Sequence, residues 1–357
     1  MKRLHNHIDK RVLKQMMDES DVKRITISFY QYANIGNPLV FRDHLYLAWE
    51  PLGVLGRTYV AKEGVNAQIS VPKENFESLR DQLNTISFLE GIRLNIARED
   101  DGKSFYKLKI KVREKIVADG LNDETFDVTN KGKHLSAEEF NQLTDQEDTI
   151  LIDMRNHYES EVGHFDGAVC PDVDTFREEI DVVTEMLDGN EDKNIVMYCT
   201  GGIRCEKASA WFKHKGFENV HQLEGGIIEY DRQVKEQGLK NKFKGKNFVF
   251  DERRSERISD DVISVCHQCG EPADDHTNCA NKGCNLLFIQ CDSCKAEMEN
   301  TCCDECKEVI HMEPEAQKEW RRKYTVSNKT YRKGRSPVLR YKKESGNSTI
   351  EIAELEK

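Results

Sequence analysis

Apolar and polar residues alternate along residues 25–32 (ITISFYQY), and the run is rich in β-branched and aromatic side chains, so it predicts a strand. Residues 38–53 place Val40, Leu45, Leu47, Ala48 and Leu52 at three- and four-residue spacings, which predicts a helix ending at a glycine. Residues 57–72 read as a strand, a turn at Glu63-Gly64 and a second strand. An amphipathic helix follows over 73–86, through Phe76, Leu79, Leu83 and Ile86, and then a strand over 92–97. The order β-α-β-β-α-β predicts a split-βαβ sandwich.

Further on the pattern changes. Lysines alternate with apolar residues in YKLKIKVREKIV, and a polar connector comes next. From about residue 134, a Ser136-x-x-Glu139 capping box opens a helix, while TILIDMR (149–155) and NIVMYC (194–199) are continuous apolar runs of the kind buried parallel strands show. A helix through Ala208, Trp211 and Phe212 runs to Gly216, and VHQLEGG (220–226) supplies a third strand. Alternating strands and helices predict a doubly wound parallel α/β sheet. The chain is therefore expected to be an α/β and α+β multidomain protein. Its expected parts are a ferredoxin-like (acylphosphatase-like) domain over 1–110, a connector over 111–133, the α/β domain over 134–238, a linker over 239–262, a cysteine-rich module over 263–312 and a basic tail over 313–357. A length of 357 residues fits two or three domains. The first domain shows no catalytic cluster, so it is expected to be structural or to grip RNA.

Cysteine changes this picture. Twelve are present: none in residues 1–169, three between 170 and 205, and nine between 266 and 306. No apolar run reaches the length of a membrane span, and the polar MKRLHNHIDKR start is unlike a secretory signal, so a reducing cytoplasm and no membrane partner are expected. There, cysteines serve as metal ligands, reactive thiols or small buried hydrophobes. Cys266-x2-Cys269, Cys279-x4-Cys284, Cys291-x2-Cys294 and Cys303-x2-Cys306 supply thiolate pairs for two four-coordinate zinc ions, in sequential or interleaved pairing. Cys302 is left out because Cys303 has the commoner spacing; His267, His276 and His311 are possible substitutes, and an iron–sulfur centre is the alternative.

The net charge of −11 speaks against nucleic acid only as an average. Between Lys318 and Lys343 there are eleven basic residues and one acid, with Trp320, Tyr324, Tyr331 and Tyr341 interleaved. Cations with aromatic planes suit single-stranded RNA, and Arg321, Arg322, Lys323, Tyr331, Arg332, Lys333 and Arg335 are the expected contacts; a solvated tail is the alternative.

Cys199 ends a buried strand and precedes Thr200, Gly201, Gly202, Ile203 and Arg204 at a helix start. Such a junction points backbone N–H groups and the positive end of a helix at the thiol, which lowers its pKa. With IDMRNHYESEVGHFDGAV (152–169), the CTGGIR loop and the closing Leu223…Gly225-Gly226, residues 145–235 resemble the rhodanese family, whose loop cysteine carries a persulfide. Four residues separate Cys199 from Arg204, one fewer than in dual-specificity phosphatases. Asp153 and Arg155 are expected as an ion pair bracing the loop, His164 as structural, and Cys205 as either a packed residue or a partner that resolves a persulfide.

The domain order, together with FKGKNFVFDERRSERI (243–258), resembles the bacterial rhodanese-domain tRNA uridine hydroxylases. That resemblance implies oxygen-dependent conversion of the wobble uridine in the tRNA anticodon to 5-hydroxyuridine, with Cys199 essential. No flavin or dinucleotide glycine fingerprint occurs, and a two-histidine, one-carboxylate iron site stays open. Two other readings are a persulfide-carrying sulfurtransferase and a zinc-dependent RNA-binding protein with an inactive loop.

Overall fold

The computed structural model describes residue 4 and residues 8–97, 102–122, 125–323 and 333–341. The chain forms two compact units, one of residues 1–118 with 249–256 and one of residues 119–248 with 257–357.

The first unit opens with helix α1 (Lys10–Asp18), whose start the sequence pattern did not signal. It continues through β1 (Arg24–Tyr32), α2 (Pro38–Trp49), β2 (Leu55–Ala61), β3 (Gly64–Pro72), α3 (Phe76–Asn84), β4 (Asn95–Ile96) and β5 (Leu108–Val112). Strand order is β4-β1-β3-β2-β5, with β4, β1, β3 and β2 antiparallel, as a split βαβ requires. β5 then adds to the edge parallel to β2, so the domain boundary expected at 110 falls inside a strand. Leu108 and Ile110 are buried while Lys109 and Lys111 face solvent, which is the alternation a half-buried edge strand shows and which also shields that edge with charge. α2 and α3 cover one face: Trp49 is fully buried beside Phe29, with its indole N–H donating to Gln82 Oε1 at 2.7 Å.

The second unit holds β6 (Lys133–Leu135), α4 (Ala137–Leu143), β7 (Thr149–Asp153), α5 (His157–Ser160), β8 (Gly163–Phe165), α6 (Phe176–Met186), β9 (Asn194–Tyr198), α7 (Ile203–His214), β10 (Val220–Leu223) and α8 (Gly226–Gln237). The capping box at Ser136 forms as expected: Ser136 accepts from the Glu139 N–H, and Glu139 accepts from the Ser136 N–H. A parallel sheet of order β6-β10-β9-β7 carries helices on its faces. Its core includes an aromatic cluster of Phe140, Phe165, Tyr198, Tyr230 and Phe243, with Phe165 meeting Tyr198 edge-on at 4.6 Å.

The stretch expected as a linker is instead built in. β11 (Phe243–Phe248) pairs antiparallel with β8, Phe243 opposite Phe165, and buries alternate residues; a short strand β12 (Ser255–Arg257) follows. The alternation of Phe243, Gly245 and Asn247 with Lys244 and Lys246 already carried that signal. The cysteine-rich segment lies within the second unit. β13 (His276–Asn278), β14 (Leu287–Ile289), α9 (Asp292–Glu297), α10 (Asp304–Ile310) and α11 (Pro314–Lys323) belong to the second unit, where Cys266, Ala273, Ile289 and Cys294 pack with Val162 beside β8. Among the described residues no helix is long and apolar enough to cross a membrane.

Candidate active site and candidate metal centres

β9 delivers Cys199 to the carboxyl end of the parallel sheet, where ligand sites of such sheets lie. The loop then turns within four residues into α7. Its sulfur faces inward: the Gly202 N–H donates to Cys199 Sγ at 3.1 Å, and the thiol is 1 % exposed. From the other side, the first turn of α8 binds the loop's carbonyls, with Ile227 N–H donating to Cys199 O at 3.1 Å and Ile228 N–H to Thr200 O at 3.3 Å. This approach needs glycine. Gly226 has φ +66°, and a Cβ there would lie 2.4 Å from Cys199 O and 2.7 Å from Thr200 O. The Gly225-Gly226 pair is thus what lets a second helix start clamp the loop.

Charge is organised in two layers below the loop. Arg155 donates twice to Asp153, at 2.8 and 2.6 Å, and once to Gly163 O at 2.6 Å. Tyr198 O–H donates to Asp153 Oδ2 at 2.8 Å and accepts from the Phe165 N–H. That network ties β7, β8 and β9 into one platform. Arg204 makes a bidentate pair with Glu159, at 2.8 and 2.9 Å. Its guanidinium charge therefore reaches Cys199 from a fixed position.

Burial pushes the Cys199 thiol up, but a hydrogen bond from the Cys205 thiol, the charge of Arg204 and the backbone N–H groups of Cys205 and Arg204 outweigh it, bringing Cys199 down to about 6. Cys205 moves the other way: burial, and then its bond to the Cys199 sulfur, push it well above its ordinary value. At neutral pH one sulfur is a thiolate and its neighbour an S–H donor. His164 Nδ1 lies 2.8 Å from Ser160 O, so its contact is with the backbone.

Glu179 on α6 is a member of this site that sequence reasoning missed. Its side chain is fully buried, and neither carboxyl oxygen finds a hydrogen-bond partner among the described residues. Burial raises it well above the carboxylate range, Arg204 opposes, and Asp153, Glu159 and Cys199 push it higher. Only its place on an otherwise apolar helix face beside Phe176, Ile180 and Val183 could have signalled it.

The cysteines gather in two interleaved sets. Cys266, Cys269, Cys291 and Cys294 form one; Cys279, Cys284, Cys302 and Cys306 form the other, and within each the four sulfurs lie within 4.8 Å of one another. Four sulfurs about 2.3 Å from a common zinc ion stand about 3.8 Å apart. The measured separations are 3.6 Å for Cys269–Cys291 and 3.7 Å for both Cys284–Cys302 and Cys302–Cys306. Both sets thus fit a tetrahedral metal ion. Cys302 rather than Cys303 completes the second, which corrects the spacing argument. Cys303 lies beside this set rather than within it: its sulfur is 3.9 Å from that of Cys302, and the residue is half-buried. His267 is not a ligand in either set: its Nδ1 accepts from the Ile289 N–H at 3.2 Å and its Nε2 meets Glu161 at 3.0 Å.

The basic residues divide as well. Arg321 and Arg322 are exposed at the end of α11. Tyr331, Arg332 and the side chain of Lys323 lie outside the described residues. Arg335 does not present a free charge to RNA, because it is ion-paired with Asp172 and lies 3.8 Å from Asp174. The acidic stretch before α6 had no such partner in view from sequence. Lys333 sits with its ammonium 3.9 Å from the centre of the Tyr158 ring, in the second layer of the Cys199 site.

Residues 136–233 match the family described as Rhodanese-like domain, residues 24–116 the UPF0176 acylphosphatase like domain, and residues 244–307 the Rhodanase C-terminal family. A tRNA uridine(34) hydroxylase of Leptospira interrogans is 53% identical over 332 residues, covering 93% of this chain and 90% of the relative. One of Photorhabdus laumondii is 56% identical over 320 residues, covering 89% and 91%. The chain belongs to the tRNA uridine(34) hydroxylase family. A Yersinia pestis member, 55% identical over 316 residues, covers 88% of this chain and 89% of its own length. The family's rhodanese-like region contains Cys199 and both layers of charge described above, apart from Lys333.

Proposed function

We propose that this protein hydroxylates the uridine at position 34 of tRNA, the first anticodon nucleotide, to 5-hydroxyuridine, with Cys199 as nucleophile and molecular oxygen as co-substrate. The observation that carries the reading is a thiol brought to about 6 inside a fixed cradle of N–H donors, in a chain of the tRNA uridine(34) hydroxylase family. A thiolate at neutral pH can add to C6 of uracil, forming a carbon–sulfur bond and moving the 5,6 π-electrons toward C5 and O4. C5 then bonds to one atom of O2, giving a C5 hydroperoxide whose O–O bond is cleaved by a two-electron reductant, leaving a hydroxyl on C5 and releasing water. Loss of the C5 proton and of the thiolate restores the double bond. In sum, uridine, O2, two protons and two electrons give 5-hydroxyuridine and water, so a two-electron reductant such as an external thiol is consumed. Arg204 supports the thiolate through its charge, while Asp153 and Arg155 hold the platform beneath it. The two sets of four cysteines would each hold a zinc ion, whose closed thiolate shell supplies structure rather than chemistry. Exposed Arg321 and Arg322 would meet tRNA phosphates.

The test is mass spectrometry of tRNA nucleosides from a deletion strain carrying either the wild-type or a Cys199→Ala gene. 5-Hydroxyuridine and nucleosides derived from it should be absent with Cys199→Ala, and growth under 18O2 should label them in the wild type. Full modification by Cys199→Ala would sink the reading. The same cradle also suits the terminal sulfur of a persulfide, which favours a sulfurtransferase as the second reading. Thiocyanate formation from thiosulfate and cyanide, with unchanged tRNA nucleosides in the deletion strain, would establish that alternative.

A further inference from the structure

The chain returns to the Cys199 site at its far end. Residues 333–341 run as a strap along the cysteine-rich segment, with the Gly334 N–H donating to Leu287 O at 2.8 Å and the Arg340 and Tyr341 N–H groups to His267 O at 3.0 and 3.1 Å. Leu339 is buried among Cys279, Cys284, Cys302 and Cys306, and Arg335 pairs with Asp172. Gly334, at φ +68°, passes so close that a Cβ would lie 3.2 Å from the His267 ring and 3.7 Å from that of His157. The strap is thus a built wall of the second unit, and it places Lys333 over Tyr158, next in sequence to Glu159.

Lys333 differs from the other buried cations of the site. Arg155 is matched by Asp153, Arg204 by Glu159 and Arg335 by Asp172. Lys333 Nζ makes no ion pair and no hydrogen bond among the described residues; its contact is the Tyr158 ring face. Burial and Arg204 pull its pKa down, while Glu159 and Asp174 hold it up. A half-buried ammonium without a counter-ion of its own, beside a guanidinium whose charge is already satisfied, is a receptor for an anion. We propose that Lys333 is a substrate-binding residue of the Cys199 site, taking a backbone phosphate of the RNA strand that presents the uridine to the thiolate. The proposal rests on the hydroxylase reading and adds the contact that positions its substrate.

Equilibrium binding of a fluorescent anticodon stem–loop RNA, measured over a series of KCl concentrations without turnover, tests it. Lys333→Met should bind about tenfold more weakly, and the slope of log Kd against log salt should fall by about 0.7, one phosphate contact on a single strand. Lys333→Arg should keep the slope, and the exposed-lysine control Lys240→Met should match wild type. In turnover, Lys333→Met should raise KM with kcat little changed. An unchanged Kd and slope in Lys333→Met would overturn the proposal, as would a lowered melting temperature with an unchanged slope, which would make Lys333 structural. If Cys199→Ala still modified tRNA while Lys333→Met lost RNA binding, the hydroxylase site would be misassigned and the phosphate contact would stand.

Discussion

Cys199 and the eight cysteines of the two tetrads share a side chain but have opposite surroundings. Around Cys199 the neighbours are backbone N–H groups, a guanidinium and a thiol donor, so a single negative sulfur is stabilised by the protein alone. Within each tetrad the sulfurs crowd one another, at 3.6 Å for Cys269–Cys291 and 3.7 Å for Cys284–Cys302. Four thiolates at that range repel one another unless a cation sits between them. The first arrangement suits a sulfur that reacts, and the second suits sulfurs that hold a metal ion. What decides the role of a cysteine here is which partner its charge requires.

That contrast can be broken at several points. The largest effect is expected at Cys302. Cys302→Ser should lower the bound zinc per chain by about one and destabilise the second unit by more than about 4 kcal/mol, as loss of a metal site does; elemental analysis and chemical denaturation measure both. Cys199→Ala should lower hydroxylation at least about 10³-fold while leaving zinc content and melting temperature at wild-type values. Cys205→Ala removes one donor to the thiolate, so the pKa of Cys199 must rise. Alkylation by iodoacetamide, half-maximal near pH 6 in the wild type, should shift upward by about one to two pH units, the equivalent of one charge-assisted hydrogen bond. Below that midpoint the thiolate, and with it the alkylation rate, is lost as pH falls. The smallest effect is expected at Cys303, half-buried and outside the tetrad: Cys303→Ser should keep both metal ions and change stability by no more than about 0.5 kcal/mol. If Cys302→Ser and Cys303→Ser exchanged these outcomes, the assignment of the second tetrad would be wrong.

Much of the fold was legible because it follows short periods. The strand order of the first sheet follows from the β-α-β-β-α-β pattern, and the helix caps, such as Ser136, were written into four residues. The Cys199 loop was legible for the same reason, being local to one strand–helix junction. What escaped depended on contacts between distant segments. Spacing could not say whether the tetrads interleave, nor that Cys302 rather than Cys303 completes the second, because both depend on how separate segments pack together. Glu179 comes to the site with the packing of α6 on α7. Arg335 looked like one more cation in a basic run until Asp172, far earlier in the chain, supplied its counter-charge.

The interleaving has a consequence for how the chain is made. The first tetrad closes a loop from Cys266 to Cys294 and the second from Cys279 to Cys306, so each loop contains half of the other's ligands. Neither can be completed as an independent knot early in synthesis and then left behind. During translation, the first set waits for Cys294, and the second for Cys306, while the Leu339 that packs on it emerges later still. Loop closure of this overlapping kind favours a single late, concerted step over stepwise assembly. A ribosome that stops short of the strap would release a chain whose Cys199 loop is already encoded but whose site lacks its last wall.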